Sequence, residues 1–367
     1  MNNRQMLFAL HHMQGIGYKT IYRLLETFTQ LSEMLQFTKE DWIGFGLGSV
    51  KAEQLCRGLS ALDAEAITNK ERQYAEKGIE WVTFWDEAYP KLLKETADQP
   101  WIMYYMGDLA LASLPCIGMV GTRTPTAYGK MTAEKLAASL SANGVCVVSG
   151  LARGIDSAAH EGALTGIGST IAVLGCSIEE IYPPENKLLY RKIASQGVLL
   201  SEYPLGTKSH PGLFPQRNRV IAGLSLGVVV VEAALRSGSL ITADQALDES
   251  RDVFAVPGPI SSPKSQGTLS LLKQGAKLVT GPEDILEEYA DRIGLERSAN
   301  IKTIIGAPSP LKADEQQIFD LLVTKPMSID VLKTQSQFTF GHLHSVLINL
   351  LMMRRIVELP GSVYTVP

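Results

Sequence analysis

Residues 116–149 read CIGMVGTRTPTAYGKMTAEKLAASLSANGVCVVS. Cys116–Val120 is a short apolar run, and Gly121-Thr122-Arg123-Thr124 breaks it. Thr126–Ala142 then has the pattern of a helix, and Val145–Ser149 is a second apolar run. Short strands without polar alternation, joined through a helix, predict parallel strands buried on both faces. The same unit recurs further along the chain. Apolar, β-branched runs stand at Thr170–Leu174, Val198–Ser201, Val228–Val231 and Val253–Val256, and Leu240–Ser250 is one of the helical stretches between them. The predicted fold is α/β: a Rossmann-like, doubly wound, mainly parallel sheet over residues 78–290.

Different patterns flank this segment. Residues 1–77 read as helices, with Ile21, Leu24, Leu25 and Phe28 on one helical face. Gly15-Ile16-Gly17 precedes that helix, and Gly46-Leu47-Gly48 precedes another that carries Ala52, Leu55 and Leu59. Two Gly-apolar-Gly turns opening helices outline a helix-hairpin-helix or SAM-like domain, whose backbone N–H groups can face a phosphate. They equally fit plain helical turns that use the φ freedom of glycine. Residues 291–310, ending in Ala307-Pro308-Ser309-Pro310, read as a linker. In 311–367, a helical stripe of Leu343, Val346, Leu347, Leu350 and Leu351 precedes a hairpin turning at Pro360-Gly361-Ser362. Three helices and a hairpin outline a winged helix. Its third helix carries Phe340, His342, His344, Ser345 and Asn349, and no Lys or Arg before Arg354 and Arg355. That favours a protein contact or weak DNA binding over a strong phosphate grip.

Composition narrows the class of function. The chain has 367 residues, a net charge of −4 and 20% charged residues. This excludes a generally basic nucleic-acid coat, so any nucleic-acid contact needs a local basic patch. Cys56, Cys116, Cys146 and Cys176 form no C-x-x-C pair and read as small buried hydrophobes in a reducing compartment. No metal site is expected. The N-terminus shows no signal-peptide pattern. The most hydrophobic run, Val220–Val231, falls short of the roughly 20 residues that span a bilayer. A cytoplasmic protein without a membrane partner is expected.

Open parallel sheets bind ligands beyond the carboxyl ends of their strands. Those ends here read Gly121-Thr122-Arg123-Thr124, Gly150-Leu151-Ala152-Arg153-Gly154, and Glu232 followed by Ser237-Gly238-Ser239. Each supplies glycine for close approach, and a helix start that favours negative charge. Neither G-x-G-x-x-G nor G-x-x-x-x-G-K-[ST] is present, so neither a dinucleotide cofactor nor ATP hydrolysis is indicated. From Lys187 to Arg219 six basic residues face a single acid, Glu202, and Phe214 lies among them. A basic groove with a stacking aromatic holds single strands without reading sequence. The same stretch also fits a solvated charged loop around a core phenylalanine. Asp156 and His160, at i and i+4, read as a helix-start carboxylate and a hydrogen-bonded histidine more readily than as metal ligands. Glu202 and Glu232 end strands with no nucleophile or base beside them.

Several of these stretches resemble the DNA-processing protein A family (DprA, also called Smf). They are Val120–Arg123, Val147–His160, Phe214–Ser225, Val231-Glu232-Ala233 with Ser237-Gly238-Ser239 and Thr242-Ala243, and Val256-Pro257-Gly258 with Gly267 and Gly275-Ala276. The resemblance runs in motif order from about Tyr89 to Ile285, and the helical front and winged-helix tail suit it.

The resemblance implies a bacterial cytoplasmic homodimer that binds single-stranded DNA during natural transformation. It would protect the strand and load the RecA recombinase onto it, with no cofactor and no catalytic turnover. By motif, Gly121, Thr122 and Arg123 would hold phosphates, and Gly150, Ser237, Gly238 and Ser239 would donate from backbone and hydroxyls. Lys208, with His210 as the competing position, would be the basic residue ahead of Phe214, the stacking ring. Arg217, Asn218 and Arg219 would complete the pocket, although Arg217 and Arg219 also fit pairing with Glu202 or Glu232. The alternative is a nucleotide-processing, phosphoribohydrolase-like enzyme, whose loop the run Ser237–Thr242 is similar to. Gln245 stands where that enzyme would need an acid.

Overall fold

The computed structural model describes residues 1–293, 311–352, 356–359 and 363–365. The chain divides into two compact units, within residues 1–297 and 298–367. The first unit opens with helices α1 (Asn3–His11), α2 (Tyr18–Thr27), α3 (Lys39–Gly44), α4 (Ser49–Ser60) and α5 (Ala64–Glu76). Gly17 and Gly48 cap α2 and α4 without a side-chain bond, while Ile16 and Leu47 between the glycines are buried.

A nine-stranded sheet follows. Its strands are β1 (Glu80–Thr83), β2 (Ile102–Gly107), β3 (Cys116–Val120), β4 (Cys146–Ser149), β5 (Thr170–Leu174), β6 (Val198–Ser201), β7 (Gly227–Val230), β8 (Asp252–Ala255) and β9 (Lys277–Leu278). Their spatial order is β1-β2-β6-β5-β4-β3-β7-β8-β9. From β6 to β9 all neighbours pair parallel, whereas β2 and β1 add antiparallel at one edge. The sheet is therefore mainly parallel and doubly wound, as the apolar runs predict. β3, β4 and β5 are buried along their whole length. That is why they lack polar alternation.

Helices α6 (Lys91–Lys94), α7 (Ala127–Ala142), α8 (Ile155–Ala163), α9 (Lys187–Gln196), α10 (Leu213–Leu224), α11 (Gly238–Asp248), α12 (Gln266–Lys273), α13 (Glu283–Leu286) and α14 (Ala290–Ile293) complete the unit. On one face, Ala133, Leu136 and Leu140 of α7 and Ala158 and Ala159 of α8 meet Ile117, Val147 and Val229. On the other, Val220 and Ile221 of α10 and Ala243 and Ala246 of α11 meet Val120, Val148 and Val230. A third core joins the front to the sheet: Phe8, Leu24, Leu55 and Tyr74 pack with Tyr104, Ala172, Leu174 and Leu199. The helical front thus shares its hydrophobic core with the sheet.

The chain moves outward from β3 through β4 and β5 to β6, then returns to place β7 on the other side of β3. The crevice between the carboxyl ends of β3 and β7 is a topological switch point, where open α/β sheets bind ligands.

The second unit holds α15 (Ala313–Thr324), β10 (Met327–Ser328), α16 (Ile329–Ser336), α17 (Phe340–Met352), β11 (Val357–Leu359) and β12 (Val363–Thr365). Its sheet runs β10-β12-β11, antiparallel throughout. Leu343, Val346, Leu347 and Leu350 form its core with Ile318, Leu322 and Tyr364. This is a winged-helix arrangement. Phe340, His342, His344, Ser345 and Asn349 of α17 are exposed. Arg354, Arg355, the turn at 360–362 and the expected linker from 294 to 310 lie outside the described residues, while 291–293 belong to α14. No helix among the described residues is long and apolar enough to cross a membrane.

Candidate nucleic-acid interface

A cleft of about 460 Å³ opens at the switch point. Gly121, Thr122 and Arg123 after β3 form one wall, and Ser237, Gly238 and Ser239 at the start of α11 form another. Phe214, Arg217 and Asn218 of α10 close the third side. Nine of the twelve residues picked out by the sequence therefore line one cleft. Gly150 lies in an adjoining small cavity with Arg123, Phe214 and Arg217. Lys208 and Arg219 line neither.

Phe214 is the centre of the arrangement. Its half-buried ring stacks on Tyr182, with centroids 5.3 Å apart at 29°. The exposed Arg123 guanidinium sits 5.5 Å from the ring centroid, within cation–π range. Gly175 at the end of β5 leaves room for the ring: a Cβ there would stand 2.8 Å from Phe214 Cδ1. Arg123 is in no ion pair among the described residues.

The walls are braced from below. Thr122 N–H donates to the Glu232 carbonyl at 2.7 Å. The Glu232 carboxylate accepts from Thr126 N–H at 2.8 Å and from its hydroxyl at 2.9 Å, which caps α7. Glu232 is thus a structural clamp between the two loops at the crevice. Asp156 and His160 hold the loop after β4. Asp156 Oδ2 accepts from Gly150 N–H at 3.1 Å and Ala152 N–H at 3.3 Å. His160 Nε2 accepts from Leu151 N–H at 3.2 Å. Thr170 Oγ1 donates to the Val147 carbonyl at 2.6 Å and faces His160 Nδ1 at 2.7 Å, so Nδ1 carries the ring proton. These bonds restrain Leu151 in the left-handed region, φ +55°. Burial lowers the His160 pKa to about 3 and raises that of Asp156, which the Arg217 charge and the two N–H bonds oppose. Among the described residues no His, Cys, Asp and Glu cluster could hold a metal ion.

The cations differ in availability. Arg217 is only 5% exposed. Its Nη1 donates to the carbonyls of Gly150, at 2.5 Å, and of Val173, tying the ends of β4 and β5 together. It forms the floor of the cleft. Gly150 has its N–H on Asp156 and its carbonyl on Arg217, so both backbone groups are already engaged. Arg219 is paired with Glu202 and donates to the Asp98 carbonyl, away from the cleft. Lys208 Nζ lies 3.1 Å from Glu180 Oε2 on a side chain that is 82% exposed. His210 is exposed, and its Nδ1 accepts from Gly212 N–H. Gln245 donates to the Pro215 carbonyl at 3.1 Å, bracing α11 against α10. Cys116, Cys146 and Cys176 are buried free thiols, and Cys56 is half-buried and free.

Sequence reasoning missed Tyr182. It stands in Ile181-Tyr182-Pro183-Pro184 after β5, one further strand-end loop. An aromatic before a proline pair at a strand's carboxyl end was the available signal.

Fold and site together define a Rossmann-like protein with an aromatic-walled, cation-edged crevice at its switch point, and a winged helix. The family model for DNA recombination-mediator protein A matches residues 80–290, and that for the DprA winged helix domain matches residues 306–362. The chain belongs to the DprA family. It is 44% identical over 220 residues to DNA processing protein DprA of Bacillus subtilis, covering 60% of this chain and 74% of that one. It is 34% identical over 323 residues to Protein Smf of Synechocystis, covering 80% and 81%. The structure of DprA from Streptococcus pneumoniae superposes with TM-score 0.68 at 35% identity, covering 78% of this chain and 99% of that one. DNA processing protein A from Helicobacter pylori, whose structure was described for its unique single-stranded DNA binding mode, gives TM-score 0.53 at 34% identity, covering 58% and 96%.

Proposed function

We propose that this protein binds single-stranded DNA in the switch-point cleft without reading its sequence. The observation that carries the reading is the Phe214–Tyr182 stack with the free Arg123 guanidinium at its edge. A ring platform offers a π-face that every base can use, and one exposed cation offers a phosphate contact. Thr122, Asn218, Ser237, Gly238 and Ser239 supply hydrogen-bonding groups around it. Family membership and the single-strand binding of the H. pylori protein support the same ligand. In this reading the protein works in the cytoplasm as a homodimer and carries out no catalysis. It protects incoming strands and loads the RecA recombinase onto them during natural transformation and recombination. The helical front (1–77) braces the binding platform, and the winged helix (311–367) is a separate accessory domain.

The test is a titration of fluorescent oligo-dT and its duplex against the full chain, with Phe214→Ala alongside. Tight binding that prefers the single strand is expected, and losing the ring should cost about 1–3 kcal/mol. Equal or no binding of both nucleic acids would overturn the reading.

A further inference from the structure

The cleft has a neighbour along the sheet. A cavity of about 580 Å³ lies between Thr126 and Tyr128 at the start of α7, Glu232 after β7 and Pro257–Pro259 after β8. It adjoins the first cleft through shared loops: 121–126 runs from one to the other, and Glu232 clamps that loop. The cavity's chemistry is different. Tyr128 Oη donates to the Pro257 carbonyl at 3.1 Å, which fixes the ring while 47% of the residue stays exposed. Pro257 and Pro259 present apolar faces with no N–H donor. Ser265 packs so closely on Gly258 that a Cβ there would stand 2.2 Å from its Oγ.

The one charged group in the lining is the Glu232 carboxylate, already held by Thr126. A carboxylate repels a phosphate, so the lining selects a flat, neutral occupant. A cation does stand nearby: Lys264 donates to the carbonyl of Thr124, in the loop that runs between the two cavities. β3 and β8 are two strands apart, roughly 10 Å, so both cavities lie within reach of one extended strand.

We propose that this cavity receives a second nucleobase of the same single strand, stacked on Tyr128 and flanked by Pro257 and Pro259. The linking backbone passes between Arg123 and Lys264. The inference rests on the single-strand reading of the first cleft and adds a site to it. Aromatic and proline faces accept any base, so the second site adds affinity without adding sequence preference.

The experiment is photo-crosslinking of the full chain to oligo-dT carrying 5-iodouracil, which forms adducts with rings it stacks on. Adducts are mapped by mass spectrometry and paired with affinities of Tyr128→Leu and Tyr128→Phe. Adducts on Tyr128 as well as on Phe214 or Tyr182 are expected. Tyr128→Leu should weaken binding roughly five- to 150-fold, with Tyr128→Phe close to the parent. Adducts confined to Phe214 and Tyr182, with Tyr128→Leu binding like the parent and melting normally, would overturn the second site and leave the first standing. Absence of oligonucleotide binding by the parent would overturn both.

Discussion

Replacing Arg217 with alanine should damage the fold, not a DNA contact. The buried guanidinium donates to two strand-end carbonyls, those of Gly150 and Val173. A hydrogen bond from a charged donor is worth about 1.5–3 kcal/mol, so these two set a range of roughly 3–6 kcal/mol. The change also leaves the buried Asp156 without the larger of its two cationic neighbours. Removing one member of a buried charge arrangement costs about 3–5 kcal/mol, consistent with that range. For a unit of this size, each kcal/mol lowers the melting temperature by about 2 °C, giving a fall of roughly 6–12 °C. Thermal unfolding followed by circular dichroism measures it. Single-strand titration well below the melting range then separates folding from binding. Gly150→Ala should reproduce the loss, because its Cβ would stand 2.3 Å from Arg217 Nη1. If Arg217→Ala melts within about 2 °C of the parent yet no longer binds DNA, the guanidinium is a ligand contact and the floor argument fails.

Three further outcomes follow from the same geometry. Arg123 and Lys208 are the exposed cations of the twelve-residue set, and Lys264 adds a third contact where the second site is filled, so the log–log salt slope should be about −0.7 to −2.1 per protomer. Arg123→Ala should make it shallower by about 0.7 and weaken all sequences alike; a parent slope near −3 would show that Arg217 and Arg219 reach phosphates after all. Gly238 faces open space at the mouth of the cleft. Gly238→Ala should therefore leave the melting temperature unchanged while weakening oligonucleotide binding, and unchanged binding would remove that backbone from the interface. The third concerns acid. The folded pKa of His160 is lowered to about 3, so between pH 6.5 and 3 the unfolded chain binds the extra proton. Its contribution is complete above pH 6.5 and falls by about 1.4 kcal/mol per pH unit as pH drops through that window. His11 and His12, lowered to about 3 and about 4, act in the same sense, and the raised Asp156 and Glu202 act in the opposite one. Urea midpoints measured from pH 7 to pH 4 should fall, and His160→Gln should flatten the decline.

The central strands were legible because burial on both faces leaves them almost wholly apolar, with Ser149 and Thr170 at strand ends. β1, β2 and β9 were not. The first two form an antiparallel edge where polar and apolar residues mix, and β9 has only two residues. At the site, glycine and hydroxyl positions were readable because their chemistry is local to a strand-end loop. The availability of each cation was not. Lys208 and Arg219 look alike in sequence, and their states depend on Glu180 and Glu202 arriving from other elements. Arg217 differs from Arg219 only in which side of α10 it occupies, and that side meets two carbonyl oxygens. Tyr182 joins Phe214 only after α9 and β6 have been folded between them.

The shared core of the helical front also bears on the order in which the chain can fold during synthesis. Phe8 and Tyr74 are made early, but the residues they pack on extend to Leu199. Tyr74 Oη accepts from Leu205 N–H at 2.9 Å, and His11 Nδ1 bonds Tyr104 Oη at 3.0 Å. The front therefore cannot close until β6 and the loop after it have been made. Contacts of such long sequence separation slow folding and leave apolar surface bare meanwhile. At about 5–20 residues per second, the stretch from Tyr74 to Leu205 keeps the front waiting for several seconds or more, a window in which a chaperone can hold it.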